Sequence, residues 1–155
     1  MAHAQSVDRF GRPVADPLVP THETHGPSYQ AYQILHLAFV AAPVIAGADK
    51  FLGLLTDWDR YLAPPIARLS PFGAHGLMQI AGAVEIVAGL VVAVKPRVGA
   101  YVVAAWLAGI VFNLLLARGY YDVALRDFGL FLAALALGRL GALYDPPVSM
   151  RRTRG

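Results

Sequence analysis

The stretch HGLMQIAGAVEIVAGLVVAV, residues 75–94, decides the fold because it is a long apolar run with one acid near its centre. Its length matches the roughly 20 apolar residues that a helix needs to cross a bilayer. Met78, Gly82, Glu85 and Gly89 share one face of such a helix by their spacing. A charge at the centre of a spanning helix costs about 2.5–3.5 kcal/mol on insertion scales. This face is therefore predicted to point into a bundle.

Three further apolar runs of similar length accompany this stretch. A buried helix of a soluble protein is the alternative for any one run, but four runs leave too little polar sequence to cover a soluble core. Short connections at 95–97 and 118–121 favour antiparallel neighbours. The sequence therefore predicts an all-α fold, a four-helix transmembrane bundle with up-down topology. The predicted spans are 31–55, 75–94, 98–117 and 122–143.

The composition agrees with a membrane protein. Hydrophobic residues make up 57% of the chain and charged residues 15%, against roughly 25% charged in soluble domains. The net charge of +3 does not indicate nucleic acid, because the basic residues flank apolar runs instead of forming a patch. The absence of cysteine excludes disulfides, CxxC redox chemistry and thiolate nucleophiles.

The chain divides into three predicted regions: a flexible polar tail at 1–30, a membrane domain at 31–145 and a basic tail at 146–155. Positive charge orients the bundle, since cytoplasmic loops carry the excess of Lys and Arg. Both termini are predicted to be cytoplasmic, because their side collects the larger group. That group consists of Arg9, Arg12, Lys95, Arg97, Arg151, Arg152 and Arg154, and the opposite side has Arg60, Arg68 and Arg118.

Polar residues near the outer ends of the spans form a predicted layer, with Glu85 deeper beneath it. Charges at such positions are rarely without a role. Glu85 is predicted to be the surplus acid of this layer, and Asp122 and Arg126 are predicted to pair at i, i+4. The members of the layer are Asp49, Lys50, Asn113, Asp122, Arg126 and Asp127.

Three interpretations of this layer stay open from the residues: a structural set of salt bridges, a site for a small-molecule head group, and a proton or ion pathway. His36, Met78, Gln79 and Trp106 are additional candidate residues. No metal site is predicted, because the HETH stretch at 22–25 lies in a proline-rich tail. No cofactor motif is evident.

The order of four motifs resembles the DoxX-like family of small bacterial membrane proteins. These motifs are GADKF at 47–51 with W..YL following at 58–62, GAVEIVAGL at 82–90, KPR.GAY at 95–101 and YYDVALRDFGL at 120–130. The resemblance covers about residues 30–145. That family includes DoxD, the small subunit of thiosulfate:quinone oxidoreductase. The resemblance implies a four-helix fold, the bacterial inner membrane, membrane oxidoreductase complexes as partners and contact with a quinone.

Three functional hypotheses follow. The first is a non-catalytic accessory subunit of a membrane complex, whose polar layer specifies helix packing. The second is a quinone-linked oxidoreductase component, in which Lys50, Glu85 and Arg126 bind the head group. The third is a small transporter or proton-conducting protein. The expected partners are the lipid bilayer and either other membrane subunits or further copies of the chain, since small residues favour tight helix packing.

Overall fold

A computed structural model describes residues 26–144 of the chain. Helices account for 87% of these residues and no strand occurs among them, which confirms the all-α class. The predictions for the flexible tail, the HETH stretch and the basic C-terminal tail lie outside this range, apart from the last residues of the predicted N-terminal tail. The elements in chain order are α1 (Pro27–Leu52), a 3-10 helix (Trp58–Tyr61), α2 (Pro64–Leu69), α3 (Gly73–Val94), α4 (Pro96–Ala117) and α5 (Tyr121–Tyr144).

The first helix begins and ends earlier than predicted. It begins at Pro27 because proline, which has no N–H to leave unpaired, suits the first helical position. It ends at Leu52 because Gly53 takes the left-handed conformation, with φ at 62°, and its N–H donates to the Asp49 carbonyl at 2.7 Å. Part of the predicted tail is therefore helical.

The connection between α3 and α4 is as tight as predicted. Lys95 alone separates Val94 from Pro96, which opens α4. Gly99 then passes so close to α3 that a Cβ atom there would clash with the backbone nitrogen of Val92. The longer 56–74 connection differs from a simple loop, because it folds into the 3-10 helix and α2.

The four long helices pack in sequence order. Helix α1 packs chiefly on α3 and α4 on α5, while α3 also contacts α4 and α1 contacts α5. An apolar core lies between them, and its buried members include Tyr32, Phe39, Val92, Ala104 and Leu137.

Three of the described helices, α1, α3 and α4, are long and apolar enough to cross a membrane. They have 26, 22 and 22 residues, or roughly 33–39 Å at 1.5 Å per residue, against about 30 Å of hydrocarbon. Large apolar side chains point outward, as in Leu37 and Leu125, which are 72% and 73% exposed. These helices indicate a membrane protein in contact with a lipid bilayer.

Candidate functional site

A buried ion pair joins α1 and α3. The Lys50 Nζ atom donates to Glu85 Oε2 at 2.6 Å, and the two side chains are only 6% and 9% exposed. The other carboxylate oxygen, Oε1, accepts from the Trp106 indole N–H at 3.3 Å. Lys50 also lies 3.7 Å from the centre of the Trp58 ring, a cation–π contact. Lys50, Glu85, Trp58 and Trp106 are named the central cluster below.

Two glycines allow this ion pair to form. A Cβ atom on Gly47 would lie 2.5 Å from the Gly82 carbonyl oxygen, and one on Gly82 would lie 2.6 Å from the Gly47 oxygen. Helices α1 and α3 therefore touch backbone to backbone, as small residues permit in membranes. Each glycine lies three residues before a charged residue, Lys50 or Glu85, so the close crossing places the two charges together. The structure buries the whole predicted face of α3.

Asp49 is also buried, but it points away from the ion pair and holds the connection that follows α1. Its carboxylate accepts from the N–H groups of Leu54 at 2.9 Å and Leu55 at 3.0 Å. It also accepts from the Trp58 indole N–H at 2.7 Å. Asp49 thereby fixes Trp58, and Trp58 covers Lys50.

Asn113 has a similar structural role from α4. Its side-chain carbonyl accepts from the Ala63 N–H at 2.9 Å, and its amide donates to the Tyr61 carbonyl at 2.7 Å. These bonds satisfy backbone groups that no helix pairs. Nearby, a hydrogen bond with Tyr120 raises the pKa of the Arg60 guanidinium above its usual value. Asn113 thus belongs to the layer by position, but it holds the loop and does not contact the ion pair.

The predicted contribution of α5 is only partly correct. The Asp127 side chain is 15% exposed, and its carboxylate interacts electrostatically with both Glu85 and Lys50. Arg126 is instead 71% exposed, and its Nε atom lies 3.9 Å from Asp127 Oδ1. Asp122 is exposed, and within the described range the predicted Asp122–Arg126 pair is not formed. These two residues point outward because they share a helical face from which Asp127 is rotated by roughly 100–140°.

The additional candidates are distributed over the bundle. Met78 is buried on α3, and Trp106 contributes to the central cluster. Gln79 lies in the N-terminal half of α3, where its amide nitrogen is 3.2 Å from His75 Nε2. The His36 Nε2 atom is 3.1 Å from the Val92 carbonyl oxygen, so His36 satisfies one of the terminal carbonyls of α3. His36 thus has a structural contact.

Sequence reasoning missed two parts of this arrangement. Trp58 was not predicted as a site residue, although it contacts both Asp49 and Lys50. Sequence reasoning also missed an aromatic group that joins the start of α1 to the end of α5. There the Ser28 and Tyr144 hydroxyl oxygens lie 2.6 Å apart. The ring contacts of this group involve Tyr29, Tyr32, His36 and Tyr144.

Two open grooves lie on the outside of the bundle. The larger, about 690 Å³, runs between α3 and α4 and has Trp106 in its otherwise aliphatic lining. The smaller, about 500 Å³, has His36 and Gln33 beside apolar residues of α1 and α3. The two grooves share no lining residue, and neither is lined by Lys50 or Glu85. These two grooves therefore do not form a polar path between the central cluster and His36.

The central cluster is chemically self-contained. Every fully buried side-chain nitrogen and oxygen atom in residues 26–144 has a hydrogen-bond partner. The same residues contain no group of three or more His, Cys, Asp and Glu side chains that could hold a metal ion. Glu85, which was predicted to be the surplus acid of the layer, is paired directly with Lys50.

Comparisons with known proteins assign the chain to no family. The chain matches no protein-family model, no curated protein and no solved structure.

Proposed function

We propose that the chain is a non-catalytic integral membrane protein of the bacterial inner membrane, an accessory subunit of a membrane oxidoreductase complex. In this proposal the central cluster specifies how the helices pack and performs no chemistry. The membrane location is supported by α1, α3 and α4. The oxidoreductase partner is supported by the resemblance of the four sequence motifs to the DoxX-like family.

One observation carries the structural role of the cluster. Lys50 and the Trp106 indole occupy the two carboxylate oxygens of Glu85, and the Trp58 ring covers Lys50. A ligand head group would have to displace one of these contacts before it could reach the charges. Breaking a buried ion pair by removing one partner costs about 3–5 kcal/mol. The geometry therefore favours a cluster that stabilises the bundle over one that binds a ligand.

The proposal includes four membrane crossings with both termini in the cytoplasm. Helix α5 has 24 residues and lies along α4, with Gly138 against the Tyr101 ring and Gly141 against Arg97. A helix packed along a spanning helix over this length supports a fourth crossing. A reporter that fluoresces only in the cytoplasm should be bright when fused to either terminus. A dark C-terminal fusion with a bright N-terminal one would mean three crossings.

The partner is tested by purification of the full chain from its native membrane with a C-terminal tag, followed by identification of co-purifying proteins. Recovery of oxidoreductase subunits in a fixed ratio is expected. The matched control is Gly47→Leu, which should disturb the bundle and reduce recovery of the partner. Purification of the folded chain with no stoichiometric partner would contradict the accessory role.

The larger groove favours one second candidate, a quinone-linked component. Its aliphatic lining fits an isoprenoid tail, and Trp106 lies in its wall. The head-group partners suggested by the sequence do not fit, because Lys50 and Glu85 bind each other and Arg126 points outward. A photoreactive quinone analogue would test this candidate. Labelling of α3 and α4 that Val87→Trp prevents and Leu37→Trp leaves unchanged would support quinone binding at this groove.

A further inference from the structure

A chain of three polar side chains connects the 3-10 helix to the outer end of α3. Asp59 Oδ2 lies 3.2 Å from His75 Nδ1, and Gln79 Nε2 lies 3.2 Å from His75 Nε2. The His75 side chain is 70% exposed and that of Asp59 is 36% exposed. Asp59, His75 and Gln79 are named the outer polar set below. It faces solvent, whereas the central cluster is buried.

The outer polar set is linked to the central cluster through Trp58. Asp59 follows Trp58 directly, and both lie in a 3-10 helix of only four residues. Trp58 donates to Asp49 at 2.7 Å and covers Lys50 at 3.7 Å from its ring centre. Any change in how firmly Asp59 is held to α3 therefore acts on the side chain that covers the buried ion pair.

We propose that the contact between His75 and Asp59 is pH-sensitive. Through Asp59 it holds Trp58 over Lys50, and it does so more firmly as the outer solution becomes acidic. Histidine is the side chain that changes charge between about pH 5 and 8. In the neutral form, the Nδ1–H group donates to Asp59 and Nε2 accepts from the Gln79 amide. In the protonated form, both ring nitrogens donate, the bond to Asp59 becomes charge-assisted, and Gln79 turns its carbonyl oxygen toward Nε2.

Among the described residues, Asp59 is the charged partner of His75. Most of the other charged groups on neighbouring elements have contacts of their own. Asp57 accepts the Asp59 N–H at 3.2 Å, and the Arg60 guanidinium lies 5.9 Å from the Tyr61 ring. Arg68 lies in the last turn of α2. From α1, Asp49 and Lys50 are already paired with Trp58 and Glu85. Asn113 and Trp106 on α4 carry no charge. Protonation of His75 therefore acts mainly on Asp59.

The test measures how accessible Trp58 is to acrylamide in the full chain in detergent. The chain has two tryptophans, so Trp106→Phe leaves Trp58 as the only tryptophan, whose fluorescence can be excited selectively. Quenching should fall about two- to fivefold between pH 8 and pH 5.5, the range that an exposed ion pair supports. His75→Gln, which keeps hydrogen bonding without a charge, should abolish this change. His36→Gln, the matched control, should preserve it.

A second measurement avoids the Trp106 substitution. The amides of Leu54 and Leu55 donate to Asp49, so their hydrogen exchange in the parent chain reports whether the connection is closed. After correction for the intrinsic effect of pH, protection should rise about two- to fivefold on acidification, and His75→Gln should remove that rise. Quenching and exchange that do not change with pH, or that change equally in His75→Gln, would overturn the proposal.

Discussion

Replacement of Lys50 by Met should destabilise the bundle strongly at neutral pH. The substitution keeps a side chain of similar length but removes the only cation within 4.0 Å of Glu85 in the described structure. The cost has an upper limit, because Glu85 can take up a proton when its partner is absent. Protonating an ordinary glutamate at pH 7 costs about 3.7 kcal/mol. Loss of the contact with the Trp58 ring adds about 0.5–2 kcal/mol.

The expected loss is therefore about 4–6 kcal/mol at pH 7, close to the cost of breaking buried pairs. The loss should shrink as the pH falls, because a protonated carboxyl needs no cation. At pH 5 the protonation cost is only about 1 kcal/mol. Thermal or SDS-induced unfolding in a mild detergent, followed by circular dichroism, measures both values.

Two further variants make this experiment decisive. Arg126→Met removes a base that is 71% exposed and should change stability by less than about 0.5 kcal/mol. The double variant Lys50→Met/Glu85→Gln removes both charges and keeps an oxygen for Trp106, so it should recover at least half of the loss. The reasoning is refuted if Lys50→Met unfolds like Arg126→Met, if its loss is the same at pH 5, or if the double variant is no more stable than Lys50→Met.

Three other predictions concern the contacts around the cluster, each measured by unfolding in the same detergent. Gly47→Ala should cost about 1–3 kcal/mol because its Cβ meets a carbonyl oxygen at 2.5 Å, whereas Gly109→Ala, which meets nothing within 4 Å, should cost nothing. Equal effects would contradict the close crossing. Trp58→Phe should cost about 1–2 kcal/mol by leaving Asp49 without one donor, and an unchanged midpoint would count against that bond. Asn113→Leu should cost about 1–3 kcal/mol and speed hydrogen exchange at 61–63, and normal protection there would argue against its bridging role.

The sequence predicted the long helices and the buried face of α3 because both depend on local spacing. Apolar runs of about 20 residues fix the helices, and a glycine three positions before Glu85 marks a face that another helix can approach. That α1 supplies the partner could be suggested from the depth of Lys50 in its span. The 2.6 Å contact itself depends on the crossing of two backbones, which spacing alone does not determine.

The role of Trp58 could not be predicted in the same way. It depends on the path of the connection after Gly53, and that path is set by three hydrogen bonds to one carboxylate, Asp49. The outward position of Asp122 and Arg126 follows from the helical period. These two residues share a helical face that Asp127 does not, so the three side chains cannot all point inward.

The position of the ion pair suggests why a charged contact is retained where an apolar one would suffice. Replacing a buried pair by apolar residues is often neutral for stability, so its stabilising effect alone does not explain it. The glycine contact alone would tolerate a shift of α1 along α3, because Gly89 also faces α1 and a shift of about two turns would place Gly47 opposite Gly89 instead of Gly82. Such a shift would separate Lys50 from Glu85 and leave two charges unpaired in an apolar interior. The pair therefore penalises the wrong register more than it stabilises the right one, and this is the property expected of a cluster that specifies packing.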